Sequence, residues 1–214
     1  PNMGSPCESL THPRISDILA ALRSKTRESI RISTNGSLLT PAMIQTLAGH
    51  QPVFLDISLN SSSPTRRRWL MNDPKPQVAI ESMARLKAMR IPYSVVIVPW
   101  PFPSSDIMVD DLRNTVLFAA DHDPAFFQIS LPGYSRFFSE DLLFDQEQVW
   151  NEVKETVQEL RGEAECPMII RPGLFEEYLE PETVNTAYVA GVIRNSPLAR
   201  AGLRGGDKIL KVNG

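Results

Sequence analysis

The sequence predicts an α/β fold, a partial (βα) barrel of parallel strands with a shorter β-rich segment after it. Strand-period runs recur along the first 135 residues, each is followed by apolar residues at three-to-four spacing, and proline opens several of those stretches. Strand and helix alternating in this way builds βα units on a parallel sheet. The runs are "SIRIST" (29–34), "VFLDISL" (53–59), "YSVVIV" (93–98) and "FFQISL" (126–131). Helical patterns cover 13–23, 41–48, 76–89 and 106–120, the third with Ile80, Met83, Ala84 and Met89 at helical spacing. "PNMG" at the start reads as the end of one more strand. About five consecutive units suit a TIM-type part-barrel better than a short open sheet.

At 214 residues the chain is long enough for one large domain, or one and a part, with an apolar core. A net charge of -3 supplies no basic field, which argues against nucleic acid or an anionic membrane as partner. "TRRRW" (65–69) reads as a solvated loop or a helix start. Cys7 and Cys166 make no disulfide scaffold and fit a reducing cytoplasm. No apolar run approaches the roughly 20 residues that span a bilayer. The start at Pro1 and the stop after "KILKVNG" lead to the expectation of a segment from a longer protein.

The strand faces carry the functional signal. In "VFLDISLN", Val53, Leu55, Ile57 and Leu59 share one side and Phe54, Asp56, Ser58 and Asn60 the other. If the apolar set meets the helices, the other set points inward with Arg31, Ser33 and Asn35 of the first run and Gln128 and Ser130 of the last. A βα barrel ordinarily fills its interior with branched apolar side chains. A satisfied hydrogen-bond network would account for any one of these polar residues. A ligand cavity accounts for the set.

The rest of the chain divides further. An acidic stretch leads into a helix, "DQEQVWNEVKETVQEL", then a turn, "GEAECP", a short strand, "MII", and a connector, "RPGLFEEYLEP". The expected division is a barrel over 1–135, a helical and irregular extension over 136–182, and a β-rich segment over 183–214.

Three motifs carry a resemblance. "PCESLTHP" (6–13) resembles the "GGEP" stretch after the second barrel strand of radical S-adenosylmethionine (radical SAM) enzymes. "STNGSLLT" (33–40) is similar to that superfamily's third strand and turn, T-N-G-x-L-L, and "ISLNSSSP" (57–64) resembles its fourth-strand end, S-L-D and a small residue. The resemblance implies a part-barrel holding S-adenosylmethionine and a [4Fe–4S] cluster, with reductive cleavage to a 5′-deoxyadenosyl radical that abstracts hydrogen from a substrate. It places Cys7, Glu8 and Ser9 at the methionine amino group, and Ser33, Asn35, Ser58 and Asn60 near the methionine carboxylate or the ribose. Cys7 and Ser9 depart from the family's Gly and Pro, and Asn60 stands where Asp is usual.

The family's cluster needs three thiolates in a C-x-x-x-C-x-x-C loop. That loop is absent here and its ligands are expected upstream. Cys7 reads as a small packing residue, His12 as a helix-entry residue, and His50 and His122 as loop positions.

"AGVIRNSPLARAGLRGGDKILKVNG" is similar to the opening of PDZ domains, a strand, a short "SPAxxAGL" helix and a "GDxIxxVNG" hairpin. Asp207 would fix the turn after Gly205-Gly206, and Asn213-Gly214 is a hairpin-turn dipeptide. A complete domain of this kind adds a partner's strand to its sheet edge. The resemblances together imply a cytoplasmic, oxidoreductase-like radical SAM enzyme, with an electron donor, an unknown small-molecule or peptide substrate and a peptide partner at the PDZ-like part. The reading from another class is a non-catalytic barrel and PDZ adaptor that binds peptide tails. A metal-free barrel lyase or aldolase is disfavoured, because Asp56 is the only inward acid and no inward Lys or His accompanies it.

Overall fold

A computed structural model describes residues 2–3, 8–133, 142–171, 187–189, 192, 197–204 and 206–211. Six strands form one parallel sheet in chain order: β1 (Asn2–Met3), β2 (Ile30–Thr34), β3 (Val53–Ser58), β4 (Tyr93–Ile97), β5 (Phe126–Ser130) and β6 (Met168–Arg171). The crossovers are α1 (Ile15–Lys25), α2 (Pro41–Ala48), α3 (Pro64–Met71) with α4 (Pro76–Met89), α5 (Ser105–Ala120) and α6 (Gln146–Glu163). The parallel sheet does not stop at residue 135. The helix and short strand expected in an extension form one more βα unit, with Phe127 to Ser130 in register with Met168 to Arg171.

Local chemistry sets the helix starts. Thr40, Ser63, Ser104 and Asp145 cap α2, α3, α5 and α6 by accepting backbone N–H groups, and prolines follow the first two caps. One face of each strand from β2 to β5 is fully buried. Ile30, Ile32, Val53, Leu55, Ile57, Val95, Ile97, Phe127 and Ile129 have no exposed surface and pack on Leu19, Leu47, Met83, Val116 and Val157 from the helices. Each such side chain stabilises the fold by about 1.5–3 kcal/mol relative to exposure. The opposite face is concave and carries the polar set. No helix among the described residues is long and apolar enough to cross a membrane.

Farther along, β7 (Ala187–Tyr188) and β8 (Lys208–Ile209) pair antiparallel, with α7 (Pro197–Arg200) between them in sequence. Asp207 accepts the Arg204 N–H at 2.8 Å, so its carboxylate does fix a turn. Asn213-Gly214 lies outside the described residues.

Gly36 sits where the β2 turn meets α4. Its φ is +81°, and a Cβ there would come within 2.9 Å of Ala79 Cβ and 3.3 Å of Ile57 Cγ2. Both backbone and space demand glycine. Gly36→Ala is expected to lower stability in urea unfolding by about 1–3 kcal/mol. Ala79→Gly in the same chain should restore the steric share and leave the φ penalty; a Gly36→Ala chain as stable as the parent would contradict the packing.

Tyr93 is buried on the helix side and donates to the His122 carbonyl at 2.8 Å. Burial first, and the charges of Asp123 and Cys166 after it, raise its phenol well above the usual range. A raised folded pKa gives stability that is full below the unfolded pKa, about 10, and is lost as pH rises from there through the folded value. Between pH 10 and 11.5 the parent should therefore lose stability more steeply than Tyr93→Phe, by up to about 1.4 kcal/mol per pH unit. Parallel urea-unfolding profiles for the two chains would refute this.

Candidate functional site

The concave face divides into a closed floor and an open mouth. On the floor, the Arg31 guanidinium donates to both oxygens of Asp56, at 2.5 and 2.7 Å, and Ser94 Oγ donates to the same carboxylate at 2.6 Å. The hydrogen bond to Asp56 raises the Arg31 pKa against the opposing effect of burial. Arg31 also lies 5.2 Å from the Phe54 ring centroid, and Phe54 stacks on Phe126 at 6.1 Å. These groups satisfy one another. Asp56, the inward carboxylate of the sequence, is a structural member of the floor, its two oxygens already taken up by Arg31 and Ser94.

Toward the C-terminal ends of the strands the polar groups lose their partners. Ser33 and Ser58 hydroxyls make no hydrogen bond among the described residues, and Ser33 is exposed. Asn60 has φ 59°, and its Oδ1 accepts the Val98 N–H at 2.9 Å. That bond fixes which way the amide points. Its Nδ2 has no partner among the described residues, and Asn60 lines a cavity of about 250 Å³ with Trp69, Leu70, Val98 and Trp100.

The rim at β1 and β2 is held by Glu8. Its carboxylate accepts the Thr34 hydroxyl at 2.7 Å, the Asn35 N–H at 2.7 Å and the Leu10 N–H at 3.2 Å, the last as cap of the 3-10 turn Ser9–Thr11. Glu8 therefore bolts the segment after β1 to the end of β2. Asn35 turns its Oδ1 back onto the Ser37 N–H and hydroxyl, at 2.9 and 2.7 Å. It builds an Asx turn and presents only its Nδ2 to other groups. Cys7 lies outside the described residues, and Ser9 is half-buried in the 3-10 turn.

Two arginines frame the mouth, and both come from the "TRRRW" read as a solvated loop or a helix start. The stretch does start a helix, α3, but Arg67 has no exposed surface. Its guanidinium donates to Asp73 at 2.9 Å, to the Ser58 carbonyl at 2.9 Å and to the carbonyls of Leu59 and Asn35. Burial lowers its pKa, against the opposing pull of Asp73. Arg66 donates to Asp111 at 2.9 Å and to the Trp100 and Phe102 carbonyls at 2.6 Å each. Asp111 also accepts the Ser61 hydroxyl at 2.6 Å; burial raises its pKa and these two donors oppose the rise. Polarity alone reads such residues as surface. The one signal in the sequence is that an α3 without an apolar stripe still had to pack.

Among the described residues no group of three or more His, Cys, Asp or Glu could hold a metal. Cys166 Sγ lies 3.3 Å from the Pro124 carbonyl, before β5 and so at the opposite end of the sheet from the mouth. His12 accepts the Arg14 N–H at the entry to α1.

Removing Arg67 leaves the buried Asp73 carboxylate and three strand-end carbonyls without their donor. Arg67→Met is expected to cost about 3–5 kcal/mol in urea unfolding, and Arg67→Met with Asp73→Leu to recover only the share due to the uncompensated carboxylate, the three carbonyls staying unmet. Equal losses in the single and double variants would show that the charge pair is not the source.

The sequence model of the radical SAM superfamily matches residues 5–115, the span from the Glu8 rim to the middle of α5. Among solved structures, Streptococcus suis SuiB bound to S-adenosylmethionine superposes with a TM-score of 0.61 at 16% identity, covering 78% of this chain and 38% of SuiB. SuiB bound to its precursor peptide SuiA gives 0.57 at 17% identity, over 75% of this chain and 36% of that one. This chain thus spans well under half of SuiB. No curated protein matches the sequence. With the family match covering more than half of the 214 residues and the parallel sheet built as its motifs imply, this chain belongs to the radical SAM superfamily.

Proposed function

We propose that this chain is the S-adenosylmethionine-binding part of a radical SAM, iron–sulfur-dependent, oxidoreductase-like enzyme. The observation that carries the reading is Asn60, whose amide is locked by Val98 so that an unpartnered donor faces the 250 Å³ cavity. An aromatic and aliphatic cavity with one oriented donor suits the adenosyl end, a planar base with a sugar carrying hydroxyl acceptors. Ser58, at the end of β3 just before it, adds a hydroxyl that is unbonded among the described residues. The methionine end then lies toward β1 and β2, where Ser33 and Asn35 Nδ2 offer donors, and the family resemblance assigns the amino group to Cys7, Glu8 and Ser9. Glu8 acts there through the backbone it holds, because its carboxylate is already bonded to Thr34 and Asn35.

When bound beside a reduced [4Fe–4S] cluster, S-adenosylmethionine supplies a 5′-deoxyadenosyl radical for hydrogen abstraction. The described residues do not fit the cluster, whose ligands would come from an upstream segment together with a site for the electron donor. SuiB binds a precursor peptide, so a peptide substrate stands beside a small molecule for this chain. The order β7, α7, β8 and the Asp207 turn support the PDZ-like reading of 183–214 and a peptide partner there.

Tryptophan fluorescence tests the site, since Trp69 and Trp100 stand on the cavity wall. In the full-length protein, Asn60→Leu should weaken S-adenosylmethionine binding about tenfold, the loss of one hydrogen bond. Asn60→Asp, which still accepts from Val98 and from a sugar hydroxyl, should bind within a few-fold of the parent. Unchanged affinity in Asn60→Leu would remove the ligand from this cavity. Formation of 5′-deoxyadenosine on reduction of the cluster-loaded protein separates the enzyme from a barrel that only binds.

A further inference from the structure

At the far end of the mouth from the Glu8 rim stands a charged side chain of the concave face that has no partner among the described residues. Met168 is buried and Ile170 packs on the core, so alternation turns Ile169 and Arg171 to the concave side. The register confirms the placement: Ile169 lies beside Gln128 and Arg171 beside Ser130, both concave-face residues. Arg31 and Asp56, the other charged groups of this face, pair with each other. Arg171 is exposed, and its guanidinium makes no ion pair or hydrogen bond among the described residues.

The backbone under this corner is fixed. The Leu131 N–H donates to the Arg171 carbonyl at 2.5 Å, and Trp150 Nε1 donates to the Pro132 carbonyl at 2.7 Å, tying the end of β5 to α6. Among the described residues Ser130 Oγ meets only a long 3.4 Å contact from Gln128 Nε2, so its own proton is available to an acceptor. A planar guanidinium with five donors and an adjacent hydroxyl match the oxygens of a carboxylate or a phosphate. No acid stands on β5 or β6 to compete with it.

We propose that Arg171 and Ser130 form a subsite for an anionic group of the substrate, a carboxylate or a phosphate. The inference rests on the placement of S-adenosylmethionine over β1 to β4. At about 4.8 Å per strand, β6 lies roughly 19 Å across the sheet from β2, where the methionine carboxylate is placed. The anion at β6 then comes from a second molecule.

The test labels the full-length protein with phenylglyoxal, an arginine reagent, and follows Arg171 by peptide mass mapping. Acetate and inorganic phosphate are the probes, with chloride at equal ionic strength as the control. At least one of the two should slow Arg171 labelling about threefold or more relative to chloride, and Ser130→Ala should reduce that protection. Protection by phosphate alone selects a phosphorylated substrate, by acetate alone a carboxylate. Arg171→Gln should leave the S-adenosylmethionine affinity, read by tryptophan fluorescence, within twofold of the parent. Equal protection by chloride would overturn the subsite, since only charge screening would then be acting. A weakened cofactor in Arg171→Gln would also overturn it and assign the guanidinium to the methionine carboxylate. Failure of the Asn60 cavity instead, with Arg171 protection intact, would leave an anion site and displace the cofactor reading.

Discussion

The mouth of this sheet depends on one buried cation. At the ends of β2 and β3 the strands stop pairing, and the carbonyls of Asn35, Ser58 and Leu59 turn toward a space closed to water. Arg67 fills that space from α3 and donates to all of them, while Asp73 balances its charge. Each of those carbonyls left unmet in a dry site would cost about 1–3 kcal/mol. Desolvating a guanidinium is expensive as well, and an apolar residue of the same volume could fill the space. It could not satisfy the carbonyls of two separate strand ends at once. The arginine fixes where β2 and β3 end relative to each other, which is a geometric result that packing alone does not deliver.

The same device recurs around the rim. Arg66 holds the Trp100 and Phe102 carbonyls after β4, Asp111 ties that arginine to Ser61 after β3, and Glu8 ties the segment after β1 to β2. Four consecutive strand ends are thus joined by buried or half-buried polar bonds rather than by loops packing on one another. The consequence is chemical. Groups that hold the rim spend most of their hydrogen bonds on it, so Ser33, Ser58 and Asn60, each with a donor unmet among the described residues, are set apart by what their neighbours already bind. Pre-organised donors of this kind lose little freedom when a ligand arrives.

Strand period and proline-opened helices made the sheet and its helix-facing side legible in the sequence, because alternation is a local property. The two classes of polar residue on the concave face were not separable in the same way. Arg31, Asp56 and Asn60 look alike as inward polar positions, yet the first two neutralise each other across adjacent strands and the third is pinned by the backbone of a strand further on. Such pairings depend on register between strands 20 or more residues apart, which composition does not encode. Arg66 and Arg67 were misread for a related reason. A charged run next to a proline has the pattern of a solvated face, and only the presence of Asp73, Asp111 and bare strand ends in three dimensions turns it into a clamp. Residues after 135 were set apart because an acidic helix and three strand residues carry little signal, although the sheet continues through them as β6.

That continuation changes how the face is read. A barrel ending at β5 would present a floor and one cavity, and every open polar group would belong to a single ligand. With β6 in place the concave face spans six strands, and its chemistry differs across the width. Over β3 and β4 the mouth is aromatic and offers single oriented donors; over β5 and β6 it offers a guanidinium and a hydroxyl. A neutral planar group gains from the first environment and an anion from the second, because stacking rewards desolvated surface while a guanidinium rewards charge. Under the proposed function, the two chemically distinct halves of the sheet would hold cofactor and substrate apart, each by groups that the other would not satisfy.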